Sequence, residues 1–175
     1  MNRRIGIVLL MLFCLCQTNT AQNVSTVIKT EALKMARALA ALDLETYMLY
    51  TYPSLMADNV GKQKIKQGLD SVEKYKKQFG IKVKSILVGN PSKVITYKKV
   101  MQCTLPQTMS IEAMMGVLET ENTLIGLSHD GKKWYFVDAL LYKQKENKDK
   151  LPELSPELVI PPMKQPVLKA ADAKN

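Results

Sequence analysis

Three observations predict an α+β fold. Up to Gly80 the apolar residues recur at helical spacing, and after it they alternate, with an abrupt change of period. His129-Asp130-Gly131-Lys132 is a hairpin signal, because Asp-Gly tolerates the positive backbone angles of tight turns. Helices followed by strands predict N-terminal helices packed on one face of a curved antiparallel sheet of about four strands.

The helices come first. Over 24–42, Ile28, Ala32, Met35, Ala36 and Leu39 share one face, and Ser25 or Thr26 is placed to cap the start. Leu44 to Tyr50 reads as a short helix capped by Asp43 and ended by Pro53, which pushes Tyr52 out of helical geometry. Residues 53–61 form a connection. A third helix runs from Lys62 to Gln78 with Ile65, Gly68, Leu69, Val72, Tyr75 and Phe79 as its buried stripe, and Gly80 terminates it.

In the strands, Ile81, Val83 and Leu87 alternate with Lys82 and Lys84. Gly89-Asn90-Pro91-Ser92 is a turn. Ile95, Tyr97, Met101, Cys103 and Leu105 are expected on one face of a single strand, with Lys98, Gln102 and Thr104 on the other. Pro106 is expected at a bulge or edge kink. Met109 to Ala113 continues to a turn near Gly116, Val117 to Ser128 returns, and Lys133 to Leu141 is the closing strand. Lys143 to Lys150 is charged. The stretch Leu151 to Val167 holds five prolines and reads as an extended arm lying against the domain.

The two ends change the meaning of the composition. Asn2-Arg3-Arg4 followed by the apolar run Ile5 to Cys16 is the pattern of an export signal, with cleavage expected after Ala21. Phe13 and Leu15 precede Cys14 and Cys16 where a lipoprotein signal wants small residues, so no lipid anchor is expected. The expected product is periplasmic or extracellular. Removing residues 1–21 takes away Arg3 and Arg4, so the formal charge falls from +9 to +7, and Cys103 is the one cysteine left. That rules out an internal disulfide and a four-cysteine zinc site in the mature chain. No transmembrane segment is expected after cleavage. The organisation is therefore a signal peptide at 1–21, one α+β domain at 22–142 and a charged, then Pro-rich arm at 143–175.

With a helical layer, a long meander and the closing strand Asp130-Gly131-Lys132-Lys133-Trp134-Tyr135-Phe136-Val137-Asp138 on the page, the chain resembles the nuclear transport factor 2-like (SnoaL-like, cystatin-like) superfamily. It resembles in particular small exported Bacteroides-type proteins of that shape, of unassigned role. The resemblance covers 24–142 and implies a cone, with a pocket at its open end and a homodimer through the outer sheet face. Enzymes of that superfamily place an Asp or His and a Tyr or second acid inside the cone. Its members also include binding modules and dimerisation domains.

The residues that would line such a pocket are Tyr47, Tyr50, Met56, Met101, Trp134, Phe136 and Asp138. Tyr52 and Asp58 are further acid–base candidates. Asp138 shares a strand face with Trp134 and Phe136, and burial there would raise its pKa. Against that, aromatics pack cores and a strand-end Asp pairs with lysine. His129 reads as a solvated turn residue and Cys103 as a small buried hydrophobe. No phosphate loop and no paired-histidine metal motif occurs, so no catalytic residue, metal or cofactor is expected. Eight lysines from Lys62 to Lys84, offset by Asp70 and Glu73, occupy the polar positions of a helix and a strand. They read as a solvated face, with anion binding as the alternative. Arginine, the preferred fork for phosphate, is nearly absent, and export further disfavours nucleic acid. The expected role is a non-enzymatic module for a small apolar ligand or a cell-envelope partner. The alternatives are an isomerase- or cyclase-type enzyme using an Asp and a Tyr, or a structural dimer.

Overall fold

The computed structural model describes residues 24–57, 59–114 and 116–170. The expected export signal, Cys14, Cys16, Asp58 and Met115 lie outside the described residues.

Helix α1 spans 24–41 and buries Ile28, Ala32, Met35 and Ala36. Ser25 and Thr26, expected as caps, already lie within it. Leu42 carries a positive φ of 59° where α1 ends. Asp43 caps α2 (Leu44–Tyr50) as expected, accepting from the Thr46 amide at 3.0 Å. Pro53 then opens a 3-10 turn, Pro53–Met56, and α3 follows at Asn59–Phe79. Gly80, at φ 61°, ends α3.

The sheet has six strands, against about four expected: β1 (Lys82–Val88), β2 (Ile95–Tyr97), β3 (Val100–Ala113), β4 (Gly116–Ser128), β5 (Tyr135–Asp138) and β6 (Val167–Lys169). It is antiparallel, in the order β1-β3-β4-β5, with β2 on β3 and β6 on β4. The segment expected as one strand from Ile95 to Leu105 is a hairpin instead. Lys98 and Lys99 both adopt positive φ, 47° and 66°, and fold Ile95–Tyr97 back onto Val100–Gln102.

Two further expectations change, one of strand parity and one of a bulge. The β1–β3 register shifts between Val83 and Ser85, so Ile86 packs on the core, Val88 is buried and Leu87 faces outward. Pro106, expected at a bulge, pairs with Thr123 in an unbroken β3–β4 register. Its carbonyl accepts from the Gly89 amide at 2.8 Å, so its ring nitrogen faces the side where β1 has ended and no donor is required.

The closing strand stops at Asp138. Its side chain accepts from the Leu140 amide at 2.7 Å and caps α4 (Ala139–Lys143), where a strand running to Leu141 was expected. Lys145–Lys150 form a 3-10 helix, and residues 151–166 have neither helix nor strand.

The sheet separates two apolar clusters. On one face α1 packs with Cys103, Leu105, Leu124, Trp134 and Phe136, and Tyr47 and Tyr50 of α2 close the edge. On the other, Val100, Ile125, Leu127 and Val137 meet Leu55, Ala139, Leu151 and Leu158. Each fully buried large side chain contributes about 1.5–3 kcal/mol. The strands therefore bury both faces, and the second face is covered by the chain's own 151–160. Gln102, expected on a polar face, is completely buried. Its amide donates to the Glu153 carbonyl and accepts from the Ser155 amide, both at 2.8 Å. Thr104 donates to the Val159 carbonyl at 3.2 Å. Beyond the arm, β6 pairs Val167–Lys169 with β4 at Val117–Glu119 and covers edge that β5 leaves open.

Helix α3 departs most from expectation. Leu69 is buried, but Val72, Tyr75 and Phe79 of the expected buried stripe are exposed. Among the described residues the helix contacts the 3-10 turn and α2, and Val72, Tyr75 and Phe79 are left partly in solvent.

Candidate functional site

The seven residues expected around a pocket do not meet in one. Tyr47, Tyr50, Met101, Trp134 and Phe136 belong to the cluster under α1. Trp134 and Phe136 have no exposed surface and pack in that cluster. The Trp134 indole donates to the Gly131 carbonyl at 3.3 Å, which holds it inward. Met56 sits with the other cluster.

Asp138 is half-buried, and desolvation raises its carboxyl above the ordinary value. Burial, together with the Asp138 charge, pushes the Tyr47 phenol up to about 12. The two therefore feel each other at the edge of the core. The crevice on Asp138, between Thr123, Leu140 and Met163, holds about 20 Å³. That is room for about one water, so proton exchange with solvent fits there and an organic substrate does not.

Met56 instead lines a cleft of about 100 Å³ between the 3-10 turn, the first turns of α3, α4 and the 3-10 helix. Leu55, Met56, Ile65 and Leu141 supply an apolar lining, with Gln144, Asn147 and Lys150 at the polar side. Lys64 and Glu146 form an ion pair across it at 3.1 Å. The pair is well exposed on both sides, so it orients the rim more than it stabilises the fold. The walls are tied down. Asn147 donates to the Leu141 carbonyl at 2.8 Å, and the Ser54 hydroxyl donates to the Lys150 carbonyl. An apolar floor under a charged rim binds groups and orients them. The cleft lining holds no Ser, Thr, Cys or His side chain.

The helical reading of Pro53–Met56 was available from Pro53 as a helix-opening residue. Leu141 was obscured because Lys133 to Leu141 reads as one strand. Glu146 carried no signal, since it meets Lys64 from 82 residues away.

His129 is exposed at the hairpin tip, as expected of a turn residue, but it is not isolated. Its Nε2 lies 3.0 Å from the Tyr52 hydroxyl. The Tyr52 ring meets Tyr135 edge-on at 6.0 Å, and Lys133 lies 5.1 Å over the Tyr135 ring. Burial raises the Tyr52 phenol. Ser128 beneath is buried and donates to the Lys133 carbonyl at 2.6 Å, so its hydroxyl is committed to the turn. Asp130 accepts from the Lys132 and Lys133 amides, which hold its carboxyl below the ordinary range. These three neighbours build a turn and no hydrolytic triad. Cys103 is completely buried, and desolvation pushes its thiol up to about 12.

Among the described residues, no three His, Cys, Asp or Glu side chains converge as metal ligands, and no helix is long and apolar enough to cross a membrane. No family model matches the chain, and no curated protein and no solved structure matches it.

Proposed function

We propose that the chain is an exported, non-enzymatic interaction module of the nuclear transport factor 2-like cone type. Its cleft beside Met56 takes one apolar group from a small ligand or a cell-envelope partner. The cleft is the observation that carries this reading. Its volume of about 100 Å³ falls well below the ~300 Å³ at which pockets for whole small molecules begin. It suits a single branched aliphatic side chain or an alkyl end, with Lys64 and Glu146 placed to meet polar atoms beside it. The complete burial of Trp134 and Phe136 supports the same choice over a ligand cavity lined by those two rings.

The isomerase- or cyclase-type alternative has Tyr47 and Asp138 in mutual influence, but only a crevice of about 20 Å³ beside the carboxyl. The dimer through the sheet has its outer face occupied by Leu151 and Leu158 across β3 to β5.

The test is methyl-labelled NMR of Met56 and Ile65 during titration with N-acetyl-leucinamide and with hexanoate. Saturable shifts are expected at both methyls, and Ile65→Trp, which fills the cleft, should abolish them. If neither probe produces a saturable shift on the folded protein, the cleft is not a binding site.

A further inference from the structure

A second surface, independent of the cleft, combines unopposed cations with an exposed apolar ridge. Arg37 of α1, Lys76 in the last turn of α3, and Lys82 and Lys84 of β1 line one open depression of about 450 Å³ whose remaining wall is uncharged. Among the described residues none of these four forms an ion pair. Glu73 is engaged by Lys77 at 2.8 Å, and Glu112, opposite Lys82 in the strand pairing, makes no ion pair with it. Glu112 offsets part of the charge at Lys82, and the depression keeps a net positive lining of four cations.

The ridge lies on the same helix turns. Val72 and Phe79 stand four before and three after Lys76, and Tyr75 precedes it, so the apolar side chains border the lysine on the α3 surface. Val72 is 43%, Tyr75 55% and Phe79 46% exposed, and the Tyr75 and Phe79 rings stack at 6.0 Å. A free small anion would use the depression and leave the ridge in water. A bilayer surface uses both, because aromatic and aliphatic groups enter the headgroup–acyl boundary while lysines reach the phosphates. Three of the four cations are lysines. Lysine is a flexible point charge suited to a diffuse anionic surface, whereas a stereospecific phosphate site favours arginine forks.

We propose that this face, Val72, Tyr75 and Phe79 with Arg37, Lys76, Lys82 and Lys84, docks on an anionic phospholipid surface. The test uses residues 22–175, which include every described element, in co-sedimentation with vesicles of 1:1 phosphatidylglycerol and phosphatidylcholine or of phosphatidylcholine alone. Binding is expected on the anionic vesicles and to be at least about tenfold weaker on the neutral ones, with a steep loss as salt rises. Lys82→Gln/Lys84→Gln and Val72→Ser/Phe79→Ser should each weaken it about tenfold with unchanged melting curves. Phe79→Trp should shift its emission to the blue on anionic vesicles only. The proposal is overturned by any of three results. One is the absence of binding to anionic vesicles. Another is binding that ignores the ridge variant and is competed by inorganic phosphate, which marks a free-anion site. The third is a solution dimer that the ridge variant converts to monomer, which makes a second copy the occupant.

Discussion

Asp138 shows how one side chain can serve two elements at a cost. It ends β5 and caps α4 through the Leu140 amide, and its half-buried position raises its carboxyl above the ordinary 3.8. The folded state therefore keeps the proton to higher pH than the unfolded state. The ionised form lowers stability as pH rises past 3.8, and nothing is lost below it, where both states are protonated. Asparagine caps a helix as well as aspartate does. Asp138→Asn should thus melt higher than the parent at about pH 7, and the two should converge at about pH 3. Melting curves at both pH values check this, and a lower melting point for the variant at neutral pH would mean that the charge favours the cap. The strand-face position of Asp138 beside Phe136 was readable from period 2. Its capping role was not, because Ala139 to Leu141 continue the apolar run and mask the start of a helix.

At the scale of elements, the β2–β3 hairpin uses residues that local rules discourage. Type I′-like turns favour Asn-Gly, yet Lys98 and Lys99 hold both positive-φ positions. Tyr97-Lys98-Lys99-Val100 carries no Gly or Asn, so it reads as uninterrupted strand. Lys98 pairs with Glu153, whose carboxylate also accepts from Tyr97 at 3.4 Å, but both partners are well exposed and the pair offsets little of the strain. Lys99 lacks such a pairing among the described residues. Lys99→Gly should stabilise the protein by about 0.5–1 kcal/mol, since glycine reaches this region without a Cβ penalty. A higher denaturant midpoint with unchanged slope would check it. The same scale explains Leu87. A one-residue register shift at Val83/Ser85 reverses which residues face inward, and alternation in sequence contains no mark of a bulge.

Over the whole molecule, the arm over β3 to β5 acts as a third layer. Leu151 and Leu158 supply its apolar contact, while Gln102 supplies direction by pairing both hydrogen-bonding ends of its amide with arm backbone. Gln102→Leu keeps the size but leaves the Glu153 carbonyl and the Ser155 amide without a partner. A cost of about 2–4 kcal/mol is expected, from two orphaned groups at about 1–2 kcal/mol each. The denaturant midpoint should fall accordingly, and limited proteolysis should cut within 151–160 faster than in the parent. An unchanged cleavage pattern would mean that the leucines alone hold the arm. The arm's ion pairs farther on, Lys164 with Glu121 and Lys169 with Glu119, are largely solvated and add little.

What the sequence determined by itself was local: the passage from helical period to alternation at Gly80, the Asp43 cap, the Asp130-Gly131 turn and the core face of α1. Each depends on residues within a few positions of one another, where backbone sterics and side-chain periodicity act directly. Tertiary structure decided which surfaces were covered. Gln102 meets the arm 51 and 53 residues away, Tyr52 meets His129 across 77, and Lys64 meets Glu146 across 82. It also left the ridge of α3 exposed beside Lys76. An amphipathic stripe specifies that a face prefers to leave water, but whether another layer is there to receive it depends on how the remaining chain is spent.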